Sequence, residues 1–257
     1  MISAIGRGLI LSTNTLSAFF SMSFWGAVGI FQRPYRLKNV FSQINFVANE
    51  SAPIVFLCIS FASGVVIVEA AYHMNLVVQN YSMVPGFASI LIIRELVVVV
   101  GCLLLGAKVG AGWAAEVGSM KVTEQLDALE MLGIDSIKFL VSPRLIASVI
   151  GSVLLVSIGN VLCLLVAMGV STLKLDFTAG AYLAASRSFI SMQDMYFSMI
   201  KAACFGAVIP LISCYFGFRC KPGAEGVGLA TTNAVVAISV AIIGLDFVLT
   251  WIFSHFY

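Results

Sequence analysis

The sequence predicts an all-α integral membrane protein. Three observations lead there: a shortage of charge, apolar runs of bilayer length, and basic residues gathered on one side of those runs. Only 10% of the 257 residues are charged and 60% are hydrophobic, with a mean hydropathy of +1.05. A globular chain carries roughly 25% charge, so this one lacks the polar residues to cover a water-facing surface. Runs of about 20 apolar residues match a hydrocarbon core roughly 30 Å thick. Inside lipid every backbone N–H and C=O must be paired within the protein, which leaves helices or closed barrels. The runs show no two-residue alternation, which excludes a barrel.

Five spans are expected: Ala52–Val78, Met83–Ala107, Leu145–Leu173, Met195–Phe218 and Gly228–Phe253. The second is interrupted by Arg94-Glu95, the fourth carries Lys201 and Pro210, and the fifth carries Asp246. The third, 29 residues without a charge, would reach about 43 Å as a helix. It is therefore expected to tilt or to project beyond the core. Ahead of these, Gly8–Gln32 is uncharged but diluted by Ser12, Thr13, Asn14, Thr15, Ser17, Ser21 and Ser23, with Phe19, Phe20, Phe24 and Trp25 clustered. It reads as a helix lying in the interface or dipping partly in. The chain is thus a single membrane domain, residues 1–50 interfacial and 52–253 a five-span bundle, without an internal repeat. Ser171–Ser191 reads as a polar-enriched connection and Arg219–Glu225 as a short loop with turn chemistry.

Charge sets the expected orientation. With five spans and the N-terminus cytoplasmic, Arg7, Arg33, Arg36, Lys38, Lys108, Lys121, Lys138, Arg144, Arg219 and Lys221 lie inside, ten of the fourteen basic residues. Only Lys174 and Arg187 lie outside, in keeping with the positive-inside rule. A spanning Gly8–Gln32 would split Arg7 from the Arg33–Lys38 cluster.

Between the second and third spans the chain turns polar. Glu116, Lys121, Glu124, Asp127, Glu130, Asp135, Lys138 and Arg144 follow one another within 29 residues. On a helix, Val122, Leu126, Leu129 and Gly133 form one stripe, and Glu124, Asp127 and Glu130 another face. Gly133 is a C-terminal stop. Ser142-Pro143 reads as the N-cap and first position of the third span. A solvated connector would have this pattern, and so would a docking element pushed by a partner.

Several function classes are excluded or lack support. A net charge of +2 gives no nucleic-acid signal. The six cysteines are scattered, mostly in apolar runs, and read as small buried residues rather than metal ligands or disulfide partners. The start of the chain does not read as a cleavable signal peptide. No G-x-x-x-x-G-K-[ST] or H-E-x-x-H occurs, and the two histidines, His73 and His255, lie far apart.

The run "RELVVVVGCLLLGAKVGAGWAAEVGSMKVTEQLDALEMLGIDSIKFLVSPRLIA", with "ATTNAVVAISVAIIGLDFVLT" near the C-terminus, resembles the MlaE/YrbE permease family. The resemblance covers most of the chain from about Ala52. That family supplies membrane subunits of ABC transporters that work with MCE-domain proteins on phospholipids. The resemblance implies that the polar helix is a coupling helix, with Thr123, Glu124, Gln125, Asp127, Ala128, Glu130, Met131 and Gly133 facing an ATPase. It implies a homodimer in the inner membrane of a double-membraned bacterium, opening outward to an MCE-protein ring, with a STAS-domain protein as a further partner. ATP and magnesium belong to the partner ATPase and no cofactor to this chain, which is then a transport subunit and not an enzyme. The family usually reads R-E-L-G-P-V where this chain has Arg94 to Val99 as R-E-L-V-V-V. Lys108 stands for the usual arginine, and Leu229 and Asn233 for the basic residues flanking A-T-T.

Glu69, Arg94, Glu95, Lys201 and Asp246 lie in or near the ends of spans. Each costs about 2.5–3.5 kcal/mol at a span centre and so needs a partner, water or a headgroup. Pairs across spans, such as Glu95 with Lys201 or Asp246 with Arg94, are one expectation. A polar patch on an oily path, with Arg94 and Lys201 suited to phosphate, is the other. His73, one turn after Glu69, is placed to pair with it. An ion- or proton-coupled secondary transporter working through Glu69, Glu95 and Asp246 is the alternative; the missing inverted repeat and the polar helix speak against it.

Overall fold

The computed structural model describes residues 17–31, 37–77 and 81–255. Arg7, Arg33, Arg36 and the first part of Gly8–Gln32 lie outside the described residues. Those described are helical and without strands, and five helices are long and apolar enough to cross a membrane.

A short apolar helix, α1 (Ser17–Val28), comes first. Within the described residues it is shorter than the five spans. Helix α2 (Leu37–Ile44) leads through a wide turn at Asn45–Asn49, wound with i→i+5 hydrogen bonds, into α3 (Ala52–Val77). The expected start of the first span at Ala52 is therefore the start of α3, but the apolar helical stretch as a whole is Leu37–Met74.

The second span differs more. Helix α4 runs from Val84 to Val122, 39 residues, rather than stopping at Ala107. Two stretches within it, Ile92–Val100 and Gly106–Gly110, are wound with the wider i→i+5 turn. Lys108 does not end the helix, because its ammonium donates to the Glu50 carbonyl at the start of α3. Glu116 and Lys121 consequently belong to the end of a span. The polar helix itself shrinks to α5 (Gln125–Met131).

Helix α6 (Ser136–Lys174) is also 39 residues long, about 58 Å. Asp135, not Ser142, caps it: its side chain accepts from the Ile137 and Lys138 N–H groups at 3.1 and 3.2 Å. Pro143 lies inside the helix. Ser142 instead donates to the Gly26 carbonyl at 2.8 Å, which holds α1 against α6. Helix α7 (Ala179–Phe189) forms inside the expected polar connection, capped by the Thr178 hydroxyl. Two further spans follow, α8 (Met192–Phe218) and α9 (Ala224–Phe253), each starting slightly before its expected residue.

Helix α8 is the centre of the bundle, packed by α4, α6 and α9. Close approach needs glycine in two places. A Cβ on Gly206 would stand 2.8 Å from the Ser148 carbonyl of α6, and one on Gly217 would stand 2.6 Å from Val117 Cβ of α4. The main core includes Ile59, Ile92, Val97, Trp113, Leu155, Phe205, Ile209 and Ile238. A smaller core of Met22, Val117, Leu126, Leu140, Val141, Cys214 and Tyr215 sits at the end of the bundle that carries α5.

Candidate functional site

Four of the five charges expected within the spans meet in the half of the bundle far from α5. Arg94 and Glu95 leave α4 from its first widened stretch, Ile92–Val100. Such turns recur at functional sites, and here adjacent residues both reach α8. Arg94 Nε lies 2.7 Å from Asp194 Oδ1. Asp194 is buried in the first turn of α8, where its other oxygen accepts from the Ser191 N–H and hydroxyl at 2.8 and 2.9 Å. Lys201, also buried, lies 2.9 Å from Glu95 Oε1 and 2.8 Å from Asp246 Oδ1 of α9. It also donates to the Arg94 carbonyl at 3.3 Å.

The Glu95–Lys201 pairing matches the sequence reading. The Asp246–Arg94 pairing does not: Asp246 shares Lys201 with Glu95, and Arg94 takes Asp194, which sequence reasoning passed over. The S-x-x-D spacing of Ser191 and Asp194 is a capping-box signal that could have marked it. Glu69 stands apart. Its partner is His73 on the same helix, 3.6 Å away, with both side chains more than half exposed.

The ion pairs open onto a cleft of about 210 Å³ lined by Arg94, Glu95 and Lys201 together with Phe197, Thr250 and Phe253. Phe197 and Phe253 stack at 4.2 Å. The cleft thus offers charges of both signs beside apolar rings, an arrangement that fits an amphiphile with a charged head. Among the described residues no group of three or more His, Cys, Asp or Glu is placed to hold a metal.

The second candidate region is α5. Glu124 takes a left-handed backbone (φ 59°) and breaks the helix between Val122 and Gln125. Gly133 takes φ 73° and closes the other end. There the Gly133 N–H donates to Glu130 O at 2.9 Å and the Ile134 N–H to Leu129 O at 3.0 Å, the Schellman pattern. Val122 therefore does not belong to the expected apolar stripe. Leu126 anchors α5 alone in the smaller core, with Leu129 half-buried beside it.

Polar contacts fix α5 to both neighbours. Asp127 pairs with Lys121 of α4 at 3.0 Å. Ser136 of α6 donates to Glu130 Oε1 at 3.1 Å and to Leu126 O at 3.3 Å. Thr123 donates to Ser119 O at 2.8 Å. So Thr123, Glu124 and Gly133 shape the turns, and Asp127 and Glu130 tie the helix back. Gln125, Ala128 and Met131 are exposed without such ties, and Met131 is 89% exposed.

Beneath α5 lies a pair the sequence did not announce. Arg144 of α6 is 2% exposed, and its guanidinium sits 2.7 Å from Glu116 of α4. It also reaches Cys214 of α8 at 3.6 Å. Its place just after Ser142-Pro143 made it look like a residue outside the membrane span; the longer α6 carries it into the bundle.

The profile of the permease MlaE family matches residues 40–252. The chain belongs to the MlaE permease family. It is 34% identical over 253 residues to a probable ABC transporter permease protein of Rickettsia conorii, covering 97% of this chain and 96% of that one. It is 31% identical to the intermembrane phospholipid transport system permease protein MlaE of Haemophilus influenzae, covering 97% and 95%. It is also 33% identical to the chloroplastic protein TRIGALACTOSYLDIACYLGLYCEROL 1 of Arabidopsis thaliana, covering 84% of this chain and 61% of that one. This MlaE-family chain is thus an ABC transporter permease, a multi-pass transport subunit rather than a catalytic one.

Proposed function

We propose that this permease moves phospholipids between the inner membrane and an MCE-domain partner, driven by a separate ATPase that seats on Glu124–Gly133. The observation that carries the reading is α5. It is a seven-residue helix, locked by Leu126, Asp127 and Glu130 to the ends of two spans, with Met131 and Leu132 held out at 89% and 75% exposure. A helix so fixed cannot move without α4 and α6, which suits it to transmit a partner's motion. The positive-inside bias supports a cytoplasmic position for it, where ATP and magnesium would be bound by the partner.

The cleft supports the substrate. Arg94 and Lys201 suit a phosphodiester, and the stacked Phe197 and Phe253 suit the start of the acyl chains. The phospholipid transport named for the Haemophilus relative agrees with this. A homodimer is supported by α9, of whose most apolar window only 11% is buried, against 56% for α8. A second copy would cover that face, the MCE ring would sit at the α7 end, and a STAS-domain protein would join the ATPase.

The test is ATP-dependent lipid transfer by the complete complex reconstituted in liposomes. Lys201→Met should abolish transfer while the complex still assembles. Transfer that persists in this variant, or that proceeds without ATP, overturns the reading.

A further inference from the structure

We propose that a second pocket, behind α5, binds the headgroup of a zwitterionic aminophospholipid, its phosphate on Arg219 and its ammonium on Glu130. The pocket holds about 290 Å³ and lies where α1, the end of α4, α5, the start of α6 and the end of α8 meet. It is separate from the cleft, at the other end of the bundle, and does not depend on the headgroup reading made there.

The charge pattern selects the ligand. Among the described residues, Lys121, Asp127, Glu130 and Arg219 are the charged side chains that line the pocket. Lys121 and Asp127 neutralise each other at 3.0 Å. Glu130 has a neutral partner, the Ser136 hydroxyl at 3.1 Å. Arg219 donates to the Tyr215 hydroxyl and lies over the Tyr215 ring at 4.8 Å, which are neutral contacts too. Neither Glu130 nor Arg219 makes an ion pair among the described residues. One carboxylate and one guanidinium thus face the same space, each without a charged partner. A ligand with one phosphate and one primary ammonium answers both. An anionic headgroup answers Arg219 alone and meets Glu130 as a like charge.

The walls favour a lipid over a free zwitterion. Met22, Ile137 and Phe218 set apolar surface beside the charges. Helix α1, which brings Met22, turns Phe20, Phe24 and Trp25 outward, and the Lys138 ammonium lies 4.9 Å from the centre of the Trp25 ring. Exposed aromatic rings beside basic groups suit the headgroup level of a bilayer. The volume is at the small end of the roughly 300–1,000 Å³ usual for ligand pockets. It takes a headgroup and glycerol, and leaves the acyl chains outside against α1.

The site also leaves the docking face of α5 free. Leu126, Asp127 and Glu130, which line the pocket, centre roughly 150° around the helix from the exposed Gln125, Ala128 and Met131. A headgroup held by Glu130 and Arg219 joins α5 to the end of α8, beyond the contacts that Lys121 and Ser136 make from α4 and α6. Motion of α5 then reaches α8 directly. This consequence rests on the ATPase reading of α5; the binding itself does not.

The experiment is photolabelling of the full chain in phosphatidylglycerol nanodiscs. The probe is phosphatidylethanolamine with a diazirine near the glycerol end of one acyl chain, and labelled peptides are read by mass spectrometry. The expected label falls on the peptides carrying Met22 or Ile137. It should weaken by about tenfold in Arg219→Gln and in Glu130→Gln, each of which loses one charge-assisted hydrogen bond. Both residues are exposed, so the fold is not at stake, and Arg219→Lys should keep most of the label. Absence of label on those peptides overturns the proposal, as does label undiminished in both variants. Equal label from the matching phosphatidylglycerol probe overturns the zwitterion. Label abolished by an equal concentration of free phosphoethanolamine overturns the lipid in favour of a soluble ligand. Lipid transferred per ATP hydrolysed by the complete complex should fall in Arg219→Gln; an unchanged ratio overturns the tie between α5 and α8. An ATPase that does not seat on α5 would leave the label in place, so the two failures are told apart.

Discussion

The Glu116–Arg144 pair gives a stability prediction that can be worked from the structure. Glu116→Met keeps side-chain length and removes the carboxylate 2.7 Å from a guanidinium that is 2% exposed. The remaining side-chain contact of Arg144, Cys214 Sγ at 3.6 Å, is too weak an acceptor to replace it. Removing one partner of a buried ion pair costs about 3–5 kcal/mol. Glu116 is itself 51% exposed, so water reaches one side of the stranded cation, and the lower end, about 3 kcal/mol, applies. Adding Arg144→Met removes the stranded charge and should recover part of that loss, with a coupling of about 1–3 kcal/mol. The assay is denaturation in mixed micelles followed by tryptophan fluorescence, with Trp113, buried one turn before Glu116, as a reporter. A double variant as unstable as the two single losses added, within about 0.5 kcal/mol, would refute the idea that the pair acts as a unit.

Gly206→Val should destabilise by about 1–3 kcal/mol through overpacking, because a Cβ there meets the Ser148 carbonyl backbone; thermal inactivation of the purified permease reads it. Gly133→Val should cost about 1–2 kcal/mol, since φ is 73° and a β-branched residue is poorly tolerated there, while Gly180→Ala, with open space around it, should be nearly neutral in the same assay. Met131→Glu should leave stability within about 0.5 kcal/mol, as surface changes do, yet weaken retention of the ATPase on affinity purification of the complex.

How much of this was legible in the sequence differs by element. The five spans followed from composition and run length, because lipid tolerates only one solution for the backbone. Their ends did not. Charged residues ordinarily mark the end of a span, but Lys108 and Arg144 find partners, the Glu50 carbonyl and Glu116, and the helices pass through them. Ser142-Pro143 has the form of a helix start, yet Asp135 caps earlier and Ser142 is spent on Gly26. The left-handed Glu124 is invisible to periodicity, so Val122 was assigned to the wrong helix. In the cleft, the sequence supplied the charges but only one of the pairings. The partner of each depends on where α8 and α9 sit, and Asp194 was passed over.

The account rests on α5 as the seat of the ATPase. The most direct measurement places a photo-crosslinking amino acid at Met131 in the complex formed in cells, with Leu183 of α7, at the opposite end of the bundle, as the control. The account predicts a crosslink from position 131 to an ATP-binding-cassette subunit and none from position 183. A position 131 that captures no such subunit while the complex remains active, or a subunit captured from position 183 instead, would contradict it.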